Sequence, residues 1–248
     1  MNVMVYTKRM RLTVAVALGL LSVVSLPLVG AIGTGCAGKT VDDSDPASLY
    51  QDAEEEIKSD HYQIAVEKLR TIKNKFPYSK YSLDAQLRIA DVLYMQESYG
   101  EAAASYETFR DLHPRHEKVG YAMFRVAKSY FNDIPTPLSR DMTPAQKSLD
   151  AYNEFLRRFP TAPEVGEARD DVAKARKILA DKELYIADFY NKRDFPSSAK
   201  PRYEKVVALY PETDAAKAAK DKLSKIEEIF KKHPERATEL RTREKEAK

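Results

Sequence analysis

The chain of 248 residues has no tryptophan, one cysteine and only eight glycines. A single cysteine excludes an intramolecular disulfide. So few glycines disfavour an all-β fold, which needs turn residues every few positions. Glycine-rich phosphate loops are absent. Histidine is scarce too, with four in the whole chain. His113 and His116 stand either side of Pro114 without a carboxylate-rich setting, so a surface turn is the reading there and no metal is expected. No grouping of nucleophile, base and acid emerges, and the chain is not expected to be an enzyme or to need a dissociable cofactor. The charge surplus is equally empty of meaning. Lys8, Arg9 and Arg11 lie in a first segment of 35 residues that holds no acid; without them 38 basic residues face 38 acidic ones. A neutral body gives no basis for neutralising phosphates, so nucleic acid is not an expected partner.

What is present begins with an address. Met1 to Arg11 is basic, Leu12 to Ile32 is apolar or small, and Gly33-Thr34-Gly35-Cys36 follows. This is the layout of a secretory signal, and its end resembles a lipobox. The alternative is an uncleaved anchor, since about 20 apolar residues span a bilayer. The lipobox resemblance implies that Cys36 carries a diacylglyceryl group and an N-acyl chain. Residue 37 is Ala rather than Asp. Resemblance to Gram-negative lipoproteins then implies the periplasmic face of the outer membrane, with residues 36–45 as a tether.

The rest of the chain is ruled by small residues. Ala53, Ala65 and Pro77 are twelve apart, as are Ala90, Ala102 and Pro114, and Ala187, Ala199 and Pro211. Alanine on each helix lets two backbones approach closely, and proline ends the second helix. A fixed period of this kind marks stacked helical hairpins. The unit resembles the tetratricopeptide repeat. The expected fold is all-α: a solenoid of about five helical hairpins in a right-handed superhelix. The array is predicted over 46–230, with an N-terminal half at 46–160, a C-terminal half at 161–230, and a charged tail at 231–248.

Two departures break the ruler. Between Ala127 and Pro160 nine residues are inserted, falling in Asp133 to Pro144, a stretch with three prolines. Between Pro160 and Ala187 fourteen residues are added. Fourteen is close to four helical turns, so one long helix is predicted from about Pro163 to Asn191. With these departures, four stretches resemble the BamD family, the lipoproteins of the outer-membrane β-barrel assembly machine. They are Phe76-Pro77-Tyr78-Ser79-Lys80-Tyr81-Ser82, Arg140-Asp141, Arg157-Arg158-Phe159-Pro160, and Glu183-Leu184-Tyr185-Ile186-Ala187-Asp188-Phe189-Tyr190. The resemblance runs from about Pro46 to Leu223. It implies binding to the barrel protein BamA, through its periplasmic modules, by the C-terminal half. It also implies contact with other lipoproteins of the machine, and recognition of unfolded barrel precursors by the N-terminal half. The alternative is another periplasmic repeat adaptor, such as a pilotin-like lipoprotein.

Candidate binding residues follow from the repeat register. Positions 5 and 12 of each first helix are seven apart and share a face. They are Tyr50 and Ile57, Leu87 and Tyr94, and Phe124 and Phe131, then Leu184 and Asn191 in the fourth unit. An apolar groove in the first three units suits a strand that offers alternate aromatic side chains, with Lys128 beside its terminal carboxylate. The inserted loop, with Pro135, Pro137, Arg140 and Asp141, is the expected partner contact, because loops on rigid scaffolds often carry function.

Overall fold

A computed structural model describes residues 43–237. The signal segment 1–35, Cys36, most of the tether and residues 238–248 lie outside the described residues. Within them the chain forms nine α-helices: α1 (Pro46–Lys58), α2 (Tyr62–Lys75), α3 (Lys80–Met95), α4 (Tyr99–Leu112), α5 (Val119–Asn132), α6 (Thr143–Arg158), α7 (Val165–Lys192), α8 (Pro196–Leu209) and α9 (Asp214–Lys232). A 3-10 turn at Pro234–Ala237 follows. Each helix packs on its neighbours in sequence, and α7 also touches α5 and α9. The fold is the all-α solenoid that the ruler predicts. Four hairpins are complete, and the fifth unit is represented by α9 and its 3-10 turn.

The ruler residues sit where two helices meet. Ala53, Ala65, Ala90, Ala102, Ala127, Ala187 and Ala199 are all fully buried. The second helix of each hairpin ends on a residue that precedes proline: Phe76, His113, Phe159 or Tyr210. All four take φ near −130° and ψ between 49° and 61°. Proline denies its predecessor the helical region and so fixes the exit. At Gly120 a Cβ would stand 3.2 Å from the Phe159 ring; the missing side chain lets that ring lie against the start of α5.

Inside three hairpins the turn is closed by one device. Asp60, Glu97 and Asp194 have φ of 59–63°, the left-handed region. The next residue's N–H reaches back five positions, His61 to the Glu56 carbonyl, Ser98 to Leu93 and Phe195 to Tyr190, at 2.9–3.0 Å. This is a Schellman closure without glycine. The hairpin of α5 and α6 has instead the inserted loop, residues 133–142.

The core is segmented along the array. One apolar cluster joins α1 to α4 with part of α5. A second joins α5, α6 and the start of α7. A third joins the loop, the start of α6 and α7 to α9. Contacts between neighbours only are what make a solenoid quasi-one-dimensional.

Candidate functional site

Two surfaces are built on this frame, one along the first helices of the hairpins and one where the inserted loop meets α7.

The first begins with charge. Arg88 on α3 grips Glu54 on α1 with two parallel bonds of 2.7 and 2.8 Å. The residues are 34 apart, as are Lys222 and Asp188, which join α9 to α7 at 2.5 and 2.6 Å. Asp91 and Arg125 share that spacing and meet through a phenol. The Tyr106 hydroxyl donates to Asp91 at 2.6 Å and accepts from Arg125 Nε at 3.1 Å. Tyr121 also donates to Asp91, at 2.7 Å. The fourth junction is Lys128 with Asp171, 43 apart, at 2.6 Å. That separation is 34 plus the nine inserted residues, and the charges are reversed.

Asp171 is the centre of that reversed junction. Its side chain is 1% exposed and accepts from Lys128, from Tyr152 at 2.9 Å and from Lys174 at 3.0 Å. Burial raises the carboxyl, but the bonds from Lys128, Lys174 and Tyr152 outweigh it and hold the group below its ordinary value. Burial likewise pushes up the phenols that serve these carboxylates. Tyr121 rises to about 12, and Tyr106 and Tyr152 move further in the same direction.

This packing corrects the expectation of an open apolar stripe. Ile57, Leu87 and Phe124 are buried in the core at 5–7% exposure. Leu87 is enclosed in the cluster of α1 to α4 and part of α5, and Phe124 in that of α5, α6 and the start of α7, whereas Tyr50 stays half-buried. Tyr50, Tyr94 and Phe131 are therefore the parts of the expected groove that reach solvent, and each lies among polar or aromatic neighbours. Tyr50 sits 5.7 Å from Tyr81. Arg125 stacks 3.7 Å from the Tyr94 ring, whose hydroxyl accepts from Asn132 at 2.7 Å. Phe131 lies between Lys128 and Lys174, at 5.4 and 5.9 Å. Lys128 is not a free ammonium either, since Glu167 takes a second contact at 2.7 Å. In the fourth unit Leu184 packs into the core cluster and Asn191 is exposed.

The second surface starts at the loop. Ile134, Leu138 and Met142 turn into the core cluster of α7 to α9. Lys182 on α7 donates to the carbonyls of Leu138 and Arg140, at 2.7 and 2.8 Å, and ties the loop to the helix. Asp141 accepts from the N–H and hydroxyl of Thr143, at 3.1 and 2.9 Å, and so fixes the chain as it enters α6. Pro137 and Arg140 are exposed, and Pro135 is half-buried. Between loop and helix lies a cleft of about 390 Å³ lined by Phe131, Ile134, Pro135, Thr136, Leu138 and Ile178. Four positions of α7, Ile178, Lys182, Tyr185 and Phe189, follow the i, i+4, i+7, i+11 pattern of one helix face. Tyr185 and Phe189 are 47% and 43% exposed, and the Arg193 guanidinium lies 4.2 Å from the Phe189 ring. The cleft therefore runs into an exposed aromatic strip. Sequence reasoning found the loop and the long helix but missed the strip, although its period was there to be read.

Among the described residues no three His, Cys, Asp or Glu side chains gather as a metal site.

Comparison with known proteins bears on the whole array. The model of a family described as YfiO, outer membrane lipoprotein, matches residues 42–244. Among curated relatives, the outer membrane protein assembly factor BamD of Vibrio cholerae is 26% identical over 194 residues, 74% of this chain and 80% of that protein. BamD of Neisseria gonorrhoeae is 28% identical, over 74% of this chain and 71% of its own length. BamD of Rickettsia prowazekii is 27% identical, over 76% of each.

Proposed function

We propose, for a chain that belongs to the YfiO family of outer membrane lipoproteins, that it is a non-catalytic scaffold in the assembly of outer-membrane β-barrels. In this reading Cys36 carries the lipid that holds the protein at the periplasmic face of the outer membrane. The surface of loop 133–142 and α7 takes the periplasmic modules of a BamA-like barrel protein. The first helices of the N-terminal hairpins take the C-terminal strand of unfolded barrel precursors, whose aromatic residues meet Tyr94 and Phe131 with their cations. Other lipoproteins of the machine complete the assembly.

The observation that carries the partner surface is the strip on α7. Two aromatic side chains nearly half exposed, next to an apolar cleft, form the kind of patch that a partner covers. The loop beside them is already ordered by Lys182 and by Asp141, so docking costs little further conformational entropy. The test is titration of the acylated protein, in detergent, with the periplasmic modules of BamA. Tyr185→Ala with Phe189→Ala should weaken binding by about 10- to 100-fold, the scale of central aromatic contacts. Wild-type affinity in a double variant of unchanged helix content would refute this assignment.

A further inference from the structure

We propose that a membrane-docking edge runs from the end of the first hairpin into the start of the second: Arg70, Lys73 and Lys75 on α2, Tyr78 in the turn and Lys80 at the start of α3 seat on anionic phospholipid headgroups of the bilayer that holds the acylated Cys36. The inference rests on the acylation reading above and goes beyond it, since an anchor alone leaves the array free to turn.

The edge is singular in charge. Between Glu67 and Asp84 there is no acid, while Lys68, Arg70, Lys73, Lys75 and Lys80 all fall within that stretch. Lys68 is spent on Asp52 and Glu56. Arg70, Lys73 and Lys75 are exposed, and among the described residues none forms an ion pair; Lys80 only approaches the Tyr81 ring, at 5.0 Å. Asp43 and Glu67 share a cleft with Lys75, and with Asp45, which accepts from the Ala47 and Ser48 N–H groups, they offset part of the charge. A net positive edge remains. Lysines in a last helical turn complement the helix dipole, which accounts for Lys73 and Lys75 on α2 but not for Arg70, Lys80 or Tyr78. Tyr78 is 101% exposed: its whole ring stands in water. A phenol with an apolar body and a polar tip suits the headgroup layer of a bilayer.

Charge alone would also suit an acidic polypeptide, and position selects the membrane. A turn of three residues folds α2 back along α1, so the end of α2 returns to the start of α1; Asp43 and Lys75 line one cleft there. The start of α1 is where the tether arrives. Residues 36–45 are ten, and ten residues reach at most about 35 Å. The basic edge and the tether therefore leave the array at one end. A lipid chain combined with a polybasic patch is a two-signal hold on an anionic surface.

The chain has no tryptophan, so Tyr78→Trp introduces a single fluorescent indole. The full acylated protein is reconstituted into phosphatidylethanolamine vesicles with or without phosphatidylglycerol, some carrying lipid brominated near the headgroup. With phosphatidylglycerol the indole at position 78 should shift to the blue and be quenched by the brominated lipid. Adding Arg70→Glu, Lys73→Glu and Lys75→Glu should abolish both signals, since each basic side chain strengthens association about fivefold. Met95→Trp, at the far end of α3, should stay unquenched throughout. If intact mass confirms the lipid on Cys36 and the position-78 indole is water-like, the docking edge is refuted alone. A chain without lipid overturns the anchor and the edge together. Shielding of the indole by an acidic polypeptide, without lipid quenching, would also overturn the proposal.

Discussion

Removing the Asp171 carboxylate should be the most damaging single change in the polar ladder. Asp171→Ala leaves the Tyr152 hydroxyl without its acceptor and takes one carboxylate from Lys128. Breaking a buried pair by deleting one partner costs about 3–5 kcal/mol. That range must be reduced here, because Lys174 is 63% exposed and Lys128 keeps Glu167. The expected loss is about 2–4 kcal/mol, read as a lower urea midpoint with helix content preserved before the transition. Asp171→Asn, which keeps one acceptor, should lose roughly half as much. The exchange Lys128→Asp with Asp171→Lys restores opposite charges in the order the other three junctions use, acid on the earlier helix. It should recover part of the loss, with a coupling energy of about 1–3 kcal/mol in the double-mutant cycle. The pH dependence has a fixed sign. Because the folded carboxyl titrates below its ordinary value, its contribution is complete above the unfolded value of about 3.9 and fades as pH falls through the lower folded one. Asp171→Asn should therefore flatten the acid limb of the stability profile. A shift under about 0.5 kcal/mol for Asp171→Ala, the scale of an ordinary surface change, would show that the ladder does not hold the halves together.

Ala102→Leu and Ala199→Leu, at two fully buried helix contacts, should each destabilise the array by about 1–3 kcal/mol through overpacking; melting with the wild type would remove the ruler's physical basis. Intact-mass measurement of the membrane form should find a chain that starts at Cys36 with attached lipid, and an unmodified chain that retains Met1 to Gly35 would sink the anchor.

The hairpins were legible because their determinants are local. Alanine at a helix crossing and proline at a helix end act at their own positions, so a twelve-residue count located α1 to α6 and α8, and the fourteen-residue excess located α7 within a few residues at each end. The groove was legible only in part. A seven-residue spacing shows that Leu87 and Tyr94 share a face, but not which neighbour covers it. Leu87 is sealed by the stack while Tyr94 reaches solvent under Arg125. In the sequence Lys128 looks available to a ligand's carboxylate because its partner lies 43 residues on, across the insertion. The left-handed turns had no signal either, since Asp60, Glu97 and Asp194 stand where glycine would have announced the closure.

The missed ladder explains why the two insertions could enter the array without breaking it. Glu54–Arg88, Asp91–Arg125 and Asp188–Lys222 all keep a separation of 34, and Lys128–Asp171 keeps it once nine residues are discounted. Those nine residues are looped out between α5 and α6, so the junction closes behind them. The fourteen extra residues lengthen α7, which then serves two junctions: Asp171 faces α5 and α6, and Asp188 faces α8 and α9. Seventeen residues separate those carboxylates, about 25 Å along a helix. Ile178, Lys182 and Tyr185 fall within that interval, under or beside the loop, and Phe189 lies just past it. The insertions thus add surface at one place, where a rigid helix is held at two points and a loop is tied across it. A partner meeting Tyr185 and Phe189 there would contact a segment whose position both halves of the array determine.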